Sequence, residues 1–557
     1  MNKQIIKTIG LSILTSSLLM GANVPNIGTM QRELKVPKLE KKKIALPEIK
    51  QKQYTPPMKD SGKTIAVKGF TFSGNKHIDN SALQNLAKEY ANKNLTFSKI
   101  NKLVSSITKL YRKNGYFVAR AYLPKQSIQN GILQINIIEG NYGKFYLKNK
   151  SRVKDSIVQG MLDNAKRDNI VSTHTIERSM LIINDTPGVV VTGADVMPGK
   201  KVGTSDFSVT TKASKAYDGY IIVDTMGSRY TGKNRIMAGI NINSPFKIGD
   251  KLSLSGLITN GENLDNGRIA YSAPLLSNGL RGEISYSYTS YALVEEFKSL
   301  NAKGTSKILD ATFSYPILRT RLENLYVSLN LANKDLKDEV RSTSDITKKN
   351  IKATRLGFDY DKHYLAFGYA SSSVLGFGLT YGNLSFSDNA KRIADAAGAN
   401  TNGKYSKIDL SFKQSLSMTQ KLSLDTSLKM QYALGNKNLD GSEDFSVGGS
   451  YGVKLYPDAE LSAENGYLGN VEMKYALPAF SEYSNQVGVF YDRGRAFMAN
   501  NTVGFVSKSL QDVGVGYYAS YKDFFGQLQV AWNENSAKVT SEPDRNSRIL
   551  FQGGWVF

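Results

Sequence analysis

Few residues of this 557-residue chain have the types and spacing that catalysis requires. There is no cysteine, which excludes thiolate nucleophiles, disulfides and thiolate zinc sites. The three histidines, His77, His174 and His363, are far apart in sequence and show no metal-ligand spacing. No Gly-x-x-x-x-Gly-Lys-Ser/Thr pattern occurs, so the sequence has no signature for nucleotide binding. We therefore expect neither an enzyme nor a site for a cofactor or metal.

One glycine-rich stretch, SVGGSYGVKLYPDAEL at residues 446–461, combines flexibility with a single cation. Gly448 and Gly449 stand near its start, and Lys454 stands between Val453 and Leu455. A Gly-Gly pair is most often a turn, and a lysine in a loop most often faces water. A binding loop and a plain turn both remain open from these residues alone.

The elements that would position this stretch are predicted to be β-strands. From about residue 215 to residue 557, apolar and polar residues alternate in one segment after another. In LSLDTSLKMQY (422–432), the leucines, Met430 and Tyr432 share one face, and the serines, Asp425 and Lys429 share the other. This pattern is typical both of a water-soluble sandwich and of a membrane barrel.

The last strand favours the membrane barrel. RILFQGGWVF places Phe551, Trp555 and Phe557 on one face and ends on an aromatic residue, which resembles the insertion signal of bacterial outer-membrane barrels. A spanning strand with its connection takes about 21 residues. The 343 residues of this region (557 − 214) therefore predict about sixteen strands. The polar stretches 333–350 and 387–407 are predicted as long outer loops.

The residues before 215 are predicted to form a leader, a linker and two small domains. Residues 1–22 have two lysines, an apolar stretch and a small-residue end, as in a secretory signal peptide. Residues 23–62 are rich in Lys and Pro, which predicts a linker that contributes to no core and in which only 38–46 could form a short helix. Residues 63–140 and 141–214 each follow the order strand, helix, helix, strand, strand.

The positive charge is concentrated in the first part of the chain. The net charge is +24, of which residues 63–214 contribute 23 − 10, or +13, and residues 215–557 only 38 − 34, or +4. Nucleic acid is the usual partner of a basic chain, but an exported protein rarely meets it. An acidic partner in the cell envelope or an anionic lipid surface fits this distribution better.

The first α/β unit contains YRKNGYFVARAYLPKQSIQNGILQINIIEG, an ordered series of Tyr, Gly-Tyr, Leu-Pro-x-Gln, Gly-x-Leu and a closing Glu-Gly. This series resembles the pattern of the first POTRA domain in the outer-membrane transporters of two-partner secretion, the family that secretes haemolysins and filamentous haemagglutinin. The second unit, ending in NDTPGVVVTGADVMPGKKVGTSDFSV, is similar to the second POTRA domain of the same family. The matching residues of the first unit are Tyr111, Gly115, Tyr116, Leu123, Pro124, Gln126, Gly131, Leu133, Glu139 and Gly140.

The barrel region carries two further motifs of this family, which belongs to the outer-membrane assembly superfamily. Residues 445–478 look like the sixth extracellular loop, which in this superfamily folds back into the pore. GVFYDRG looks like the inner-wall strand motif, so the resemblance makes Asp492, with Phe490 and Gly494 beside it, the partner of the loop tip Val453-Lys454-Leu455-Tyr456. The family tip is Val-Arg-Gly-Tyr. Lys454 is a more flexible point charge than Arg, and Leu455 lacks the freedom of Gly for positive φ.

The resemblance implies a mainly β fold with two periplasmic α/β POTRA domains followed by a 16-stranded antiparallel transmembrane β-barrel. It implies a monomer in the outer membrane of a Gram-negative bacterium, which contacts lipid and is inserted by the barrel-assembly machinery through Trp555 and Phe557. The POTRA domains would capture an unfolded exoprotein of the TpsA type, a haemolysin or an adhesin. The barrel would secrete it without nucleotide hydrolysis, driven by folding outside the cell. In the family a helix before the first POTRA domain plugs the pore, and here only residues 38–46 are expected to be able to form it.

Two other classes of protein remain open at this stage. An outer-membrane assembly or insertion factor has the same architecture, although the main insertase has more POTRA domains. A diffusion porin would not need two soluble modules in front of its barrel. For the loop tip, the alternative is that Lys454 faces water while Asp492 simply lines a polar lumen.

Overall fold

The computed structural model describes residues 24–34, 46–51, 63–128, 130–458, 460–502, 505–534 and 536–557. The predicted signal peptide and residues 38–45 of the predicted short helix lie outside this part of the chain. Within it, no helix is both long and apolar enough to cross a membrane.

Two elements lie where the sequence predicts only a linker. Helix α1 spans Ile27–Glu33, and strand β1 spans Ile49–Gln51. The expectation that residues 23–62 contribute to no core is wrong, because Ile27, Met30 and Leu46 are all buried. Proline and lysine interrupt long helices, but they do not prevent a two-turn helix or a three-residue strand from docking onto an existing surface.

The first α/β unit is a three-stranded sheet covered by two helices. Its chain order is β2 (Thr64–Val67), β3 (Gly69–Ser73), α2 (Asn80–Ala87), β4 (Lys93–Thr96), α3 (Phe97–Lys113), β5 (Arg120–Tyr122) and β6 (Ile132–Ile138). The sheet order is β3-β6-β5, and β2 pairs separately with β4. Helix α3 begins at the Thr96 cap and buries Ile100, Leu103, Ile107 and Tyr111, whose spacing places them on one face.

The second α/β unit has a four-stranded sheet. Its elements are β7 (Asn141–Lys150), α4 (Asp155–Asp163), α5 (Thr173–Asp185), β8 (Val190–Pro198) and β9 (Thr204–Lys212). The sheet order is β1-β8-β9-β7, so the linker strand β1 forms one edge of it. The two units are joined at Gly115, whose carbonyl accepts a hydrogen bond from the Thr173 amide at the start of α5.

The remaining chain forms a closed barrel of sixteen strands. The first eleven are β10 (Tyr217–Asp224), β11 (Arg235–Asn243), β12 (Lys251–Thr259), β13 (Leu264–Pro274), β14 (Arg281–Ala292), β15 (Ala302–Arg319), β16 (Glu323–Val340), β17 (Asp345–Ala366), β18 (Tyr369–Phe386), β19 (Gly403–Ser417) and β20 (Leu422–Ala433). The two-residue strands β21 (Phe445–Ser446) and β22 (Ser462–Ala463) pair with each other inside the next connection. The last five are β23 (Asn465–Ala476), β24 (Tyr483–Phe497), β25 (Lys508–Tyr521), β26 (Phe524–Asn533) and β27 (Ser547–Val556).

All neighbouring barrel strands are antiparallel, and β27 pairs with β10 to close the ring. The apolar residues of the alternating pattern point outward, as Leu428, Met430 and Tyr432 on β20 show. Outward apolar side chains are what a barrel needs to meet lipid.

The structure contradicts one of the two predicted loops and agrees with most of the other. In 333–350, β16 continues to Val340 and β17 begins at Asp345, so most of that stretch is a paired hairpin. In 387–407, residues 387–402 form a long connection that contains a helix, α6 (Asn389–Ala397), and β19 begins at Gly403. Polar composition does not separate a loop from a strand that extends beyond the membrane, because both faces of such a strand meet water.

Candidate functional site

The glycine-rich stretch does not lie in solvent but folds back against the inner wall of the barrel. Val453, Leu455 and Tyr456 are fully buried and pack in one cluster with Phe490 of β24 and Leu510 of β25. The connection between β20 and β23 therefore returns into the lumen, where its tip meets the last strands of the barrel.

The tip carries an ion pair to the wall. The Lys454 ammonium lies 2.7 Å from the Asp492 carboxylate, whose side chain has no exposed surface. The other oxygen of Asp492 accepts a hydrogen bond of 2.7 Å from Asn470. The ammonium also lies 4.1 Å from the centre of the Phe490 ring, a cation–π distance. The structure thus places Lys454 against Asp492 and Phe490 rather than in water.

Two residues that the sequence analysis did not single out also hold the tip. Asp512, directly opposite Asp492 in the register of β24 and β25, accepts a hydrogen bond of 2.6 Å from the Leu455 amide. Arg548 of β27 donates to the carbonyls of Lys454 and Tyr456, at 3.3 and 2.8 Å. A signal existed for Asp512, since it is an acid on a strand next to the predicted wall motif.

Leucine fits where the family has glycine. Leu455 is not among the described residues with positive φ, and its side chain is buried in the apolar cluster. The position therefore needs an amide N–H for Asp512 and an apolar side chain, and Leu supplies both.

The predicted glycines provide room for close contacts. A Cβ on Gly448 would lie 2.1 Å from the Pro457 carbonyl, so the loop could not cross itself there with a larger residue. Gly449 has φ +97° and its amide bonds the Tyr456 carbonyl. A Cβ on Gly494 would lie 2.6 Å from Val447, so this wall glycine leaves space for the incoming loop.

Ion pairs also anchor the base of the loop. Glu443 pairs with Lys334 and Lys407 at 2.6 and 2.9 Å. Asp440 pairs with Lys349, and both of these side chains are nearly inaccessible. The loop is therefore fixed to opposite parts of the wall, at its base by β16, β17 and β19 and at its tip by β24, β25 and β27.

Helix α1 lies inside the barrel beside the base of this loop. Its cap residue Asn26 accepts from the Thr29 amide, and the Ile27 amide donates to Asp338 of β16 at 2.8 Å. Ile27 and Met30 are fully buried against the barrel wall. The helix contacts β14, β15 and β16. A sequence signal existed, because Asn26 is a strong N-cap residue and apolar residues follow at helical spacing.

The POTRA motif residues bind one another rather than facing solvent. The Glu139 carboxylate accepts from the Lys76 and His77 amides and the Tyr111 hydroxyl, at 2.7, 2.9 and 3.0 Å, and lies 2.6 Å from the His77 ring nitrogen. Burial by itself would raise the pKa of Glu139, but the hydrogen bonds outweigh it and the pKa is lowered. Burial, assisted by Glu139, raises the pKa of Tyr111. Glu139 thus ties helix α3 to the end of β6.

The other motif residues have local structural roles. Gln126 makes two hydrogen bonds to the Gln134 backbone and so extends the pairing of β6 beyond the end of β5. Gly115 and Gly140 have φ values of +87° and +89°, which favour glycine. The Tyr116 ring lies 5.6 Å from that of His77. The Pro124 carbonyl accepts a long hydrogen bond of 3.4 Å from the Gln126 side-chain amide.

The end of the chain lies on the outer surface of the barrel. Trp555 stacks on Phe524 of the neighbouring strand and lies 4.6 Å from Phe557, centre to centre. Ile549 and Phe551 of β27 are exposed on the same face as Trp555. This terminal strand therefore presents aromatic and aliphatic groups to lipid.

Comparison with known proteins identifies this architecture. The family model "Haemolysin secretion/activation protein ShlB/FhaC/HecB" matches residues 203–514, and the model "POTRA domain, ShlB-type" matches residues 65–140. The first match covers more than half of the chain. The chain belongs to the ShlB/FhaC/HecB family. It is an outer-membrane transporter of two-partner secretion, with its POTRA domains in the periplasm, and it acts with an exoprotein substrate.

Individual relatives match the chain over different shares of its length. The heme/hemopexin transporter protein HuxB of Haemophilus influenzae is 27% identical over 525 residues, 92% of each chain. The outer-membrane transporter CdiB of Dickeya dadantii is 26% identical over 30% of each chain. The structure of CdiB from Escherichia coli has a TM-score of 0.72 at 17% identity, covering 90% of this chain and 93% of that one. A BamA structure from Haemophilus ducreyi shares the fold at a TM-score of 0.52 and 14% identity, over 89% of this chain and all of that one.

Proposed function

We propose that the protein recognises one large exoprotein, of the haemolysin or adhesin type, as an unfolded chain in the periplasm and secretes it through the barrel lumen. Helix α1 and the loop at 446–461 close that lumen at rest and must shift before the client can pass. The anchoring of both segments against the inner wall is the observation that supports the proposal. A diffusion pore would not need the ion pairs that hold the loop, or the hydrogen bond and apolar packing that hold the helix.

The POTRA domains provide the binding surface in this proposal. Their net charge of +13, from 23 basic and 10 acidic residues, favours acidic client segments. An exposed strand edge accepts an extended peptide by main-chain hydrogen bonding, without requiring a folded client. Nucleotide is not used, and folding of the client outside the cell provides the direction of transport.

The remaining partners are those of a barrel in lipid. The monomer contacts outer-membrane lipid through the apolar face of its strands. The barrel-assembly machinery recognises the terminal strand with Trp555 and Phe557 during insertion. Truncation after Gln552 should therefore lower the amount of barrel in the outer membrane without affecting export to the periplasm, as fractionation would show.

Co-expression with a candidate exoprotein tests the transport function. Release of that exoprotein into the medium, dependent on this chain, is the expected result. Loss of other barrels from the outer membrane when the chain is deleted, with no exoprotein released by the intact chain, would instead indicate an insertion factor.

A further inference from the structure

Lysines are concentrated in one sector of the barrel, near the extracellular ends of strands β15 to β19. Strand β10 follows the periplasmic domains and so begins at the periplasmic end. Because neighbouring strands are antiparallel, β15, β17 and β19 begin at the extracellular end and β16 ends there. Six lysines near these strand ends form what we call the lysine patch: Lys303 and Lys307 of β15, Lys337 of β16, Lys348 and Lys352 of β17, and Lys404 of β19.

The pairing register places the lysine patch on the outer face of the barrel. Lys307 lies opposite Tyr288 of β14, whose side chain is exposed on the outer surface. Residues that are opposite in register share a face of the sheet, as do residues two positions apart on one strand. Following the register from β15 to β19 puts the other five lysines on the same face. The alternate residues Ser306, Leu336 and Ile351 are buried on the inner face.

The lysine patch lies next to the apolar surface that meets lipid. On β15, Leu309 is exposed on the outer face, and Lys307 is the next outward residue toward the extracellular end. On β17, Leu356 is exposed on the outer face, and Lys352 is the second outward residue beyond it. An anion bound by these lysines would therefore lie at the depth of a lipid head group, with the acyl chains of the same lipid over the apolar residues.

The acids on this outer surface are too few to neutralise the lysine patch. Six lysines share the extracellular part of the outer face of β15 to β19 with two acids, which gives a formal charge of 6 − 2, or +4. Asp335 accepts a hydrogen bond of 2.7 Å from Asn350. Glu339 pairs with Lys337 and Arg341. Within the part of the chain that the structure describes, the other five lysines of the patch form no ion pair.

The positions of the lysines favour an anion between them. Lys337 and Lys348 lie directly opposite each other in register, an arrangement of like charges that destabilises a strand pair unless an anion compensates it. Lys352 and Lys404 lie in one register row, on either side of Asn383 of β18. Two strand spacings of about 4.8 Å separate their backbones, so both side chains can reach one phosphate group.

A phosphorylated glycolipid complements both parts of this surface. Lipopolysaccharide, the lipid of the outer leaflet of the outer membrane, carries phosphate groups on its sugars and several acyl chains. Lysine binds phosphate as a point charge, and the exposed leucines below provide an apolar surface for the chains. A zwitterionic phospholipid has no net charge to complement the patch.

We propose that the lysine patch binds the phosphate groups of lipopolysaccharide, with the acyl chains of the glycolipid along Leu309 and Leu356. The bound phosphates compensate the opposed lysines Lys337 and Lys348. This inference deepens the lipid contact of the proposed function, since it names the lipid and the residues that bind it. It rests on the position of the barrel in the outer membrane and not on secretion.

Titration of lipid A, the phosphorylated and acylated part of lipopolysaccharide, into the purified full-length transporter tests the site. Native mass spectrometry in a neutral detergent measures the dissociation constant, and heat-modifiable migration checks that each variant is folded. K307Q/K352Q/K404Q should weaken lipid A binding at least tenfold, because each lysine near an anionic lipid surface contributes a factor of about five. K307R/K352R/K404R keeps the charges and should keep the affinity. Equal affinity of the glutamine variant and the wild type would overturn the inference.

The variant K247Q/K421Q/K522Q is the matched control. It removes three exposed lysines from turns at the periplasmic end of the same barrel, so the change in net charge is the same. Its affinity for lipid A should equal that of the wild type. A loss as large as that of K307Q/K352Q/K404Q would show that net charge, and not the lysine patch, determines binding, and would contradict the inference.

Three further probes identify what the patch recognises. Dephosphorylated lipid A should bind the wild type at least tenfold more weakly than lipid A, and equal binding would contradict recognition of phosphate. Phosphatidylglycerol should also bind more weakly, and equal binding would indicate a general anionic surface instead. Inorganic phosphate should displace lipid A only at concentrations far above that of the lipid. Displacement at equal concentration would assign the site to free phosphate and overturn the lipid site.

Release of the co-expressed exoprotein distinguishes failure of this inference from failure of the proposed function. If the wild type secretes the exoprotein but K307Q/K352Q/K404Q binds lipid A as tightly as the wild type, the lipid site fails and the transport function stands. If the wild type secretes nothing while the glutamine variant loses lipid A binding, the transport function fails and the lipid site stands.

Discussion

Asp492 has no exposed surface and accepts hydrogen bonds from Lys454 and Asn470. A buried carboxylate is costly unless it is paired, and removing one partner of a buried pair typically costs about 3–5 kcal/mol. Lysine lacks the bidentate geometry of arginine. Here the Phe490 ring beneath the ammonium supplies a second attraction. The wall thus offers a lysine a defined position even though the family pattern has arginine.

Lys454→Ala should release the loop tip, because it leaves Asp492 buried without its cation. We expect exoprotein release to fall about tenfold while the amount of folded barrel is unchanged, and Lys454→Arg to retain release. Secretion into the medium and heat-modifiable migration of the barrel measure the two quantities. Lys522→Ala, which removes an exposed ion pair with Glu482 and a cation–π contact with Tyr521, is the control. If K454A/D492A were as harmful as both single losses combined, the two residues would act independently.

Glu139 should make the first POTRA domain sensitive to acid. Because its folded pKa is lowered from the ordinary 4.5, its contribution to stability is fully present above that value. The contribution is lost as the pH falls from 4.5 through the lowered pKa. Calorimetry of the full-length protein should show the periplasmic transition moving to lower temperature in this window. Glu139→Gln should be less stable at pH 7 by about 1–3 kcal/mol, and an equal acid response of this variant would assign the sensitivity to another group.

At the scale of elements, helix α1 and the loop contact each other as well as the wall. A Cβ on Gly28 would lie 2.5 Å from the Ser442 amide nitrogen and 2.9 Å from the Gly441 carbonyl carbon. Both are backbone atoms, so no side-chain rotation can relieve the overlap. The Ile27 amide, one residue before Gly28, donates a hydrogen bond to Asp338. A seven-residue helix is unstable alone, so this docking is what keeps it helical.

Gly28→Val should displace α1 from the lumen because the contact with the loop backbone leaves no space for a side chain. Single-channel conductance in planar bilayers should rise toward that of a chain lacking residues 24–34. Gly267→Ala is the control, since a Cβ at that barrel glycine meets no atom within 4 Å. Unchanged conductance in the deletion would show that α1 does not obstruct the pore.

At the scale of the whole molecule, helix α5 orients the second POTRA domain on the barrel. Asp185 forms two hydrogen bonds of 2.7 Å with the Arg319 guanidinium, a bidentate pair. Arg321 pairs with Glu177 at 2.7 Å, and Arg178 donates to the Pro316 carbonyl. These contacts join one helix to the end of β15 and to the turn that follows it, so the second POTRA domain and the barrel are held in a fixed relation.

Asp185→Ala should loosen this junction. The pair is partly exposed, so we expect a cost of about 1 kcal/mol or less and a broader distribution of distances between spin labels on the second POTRA domain and the barrel. Raising the salt concentration should broaden the wild-type distribution in the same way. Asp163→Ala, which removes an ion pair within the POTRA domain, should leave the distribution as it was. A distribution unaffected by D185A would place the orienting contacts elsewhere.

The sequence by itself determined the class of the fold and its broad order. Period-two alternation over 343 residues and an aromatic final strand are sufficient to predict a membrane barrel, because contact with lipid stabilises a strand that has one apolar face. The POTRA order of strands and helices follows from apolar spacing in the same direct way. The motifs then located Lys454 and Asp492, although they are 38 positions apart in sequence.

Only the tertiary structure decided what those residues touch. Asp512 was signalled only by its place on the strand next to the wall motif, and nothing local distinguishes Arg548 or Asp338 from a polar residue that meets water. Asn26 signals where helix α1 begins, but local sequence does not show that α1 or strand β1 is stable. Each is too short to be stable by its own propensity, and each exists because a surface formed by distant residues, the barrel wall or the β8 edge, buries its apolar side chains and satisfies its backbone.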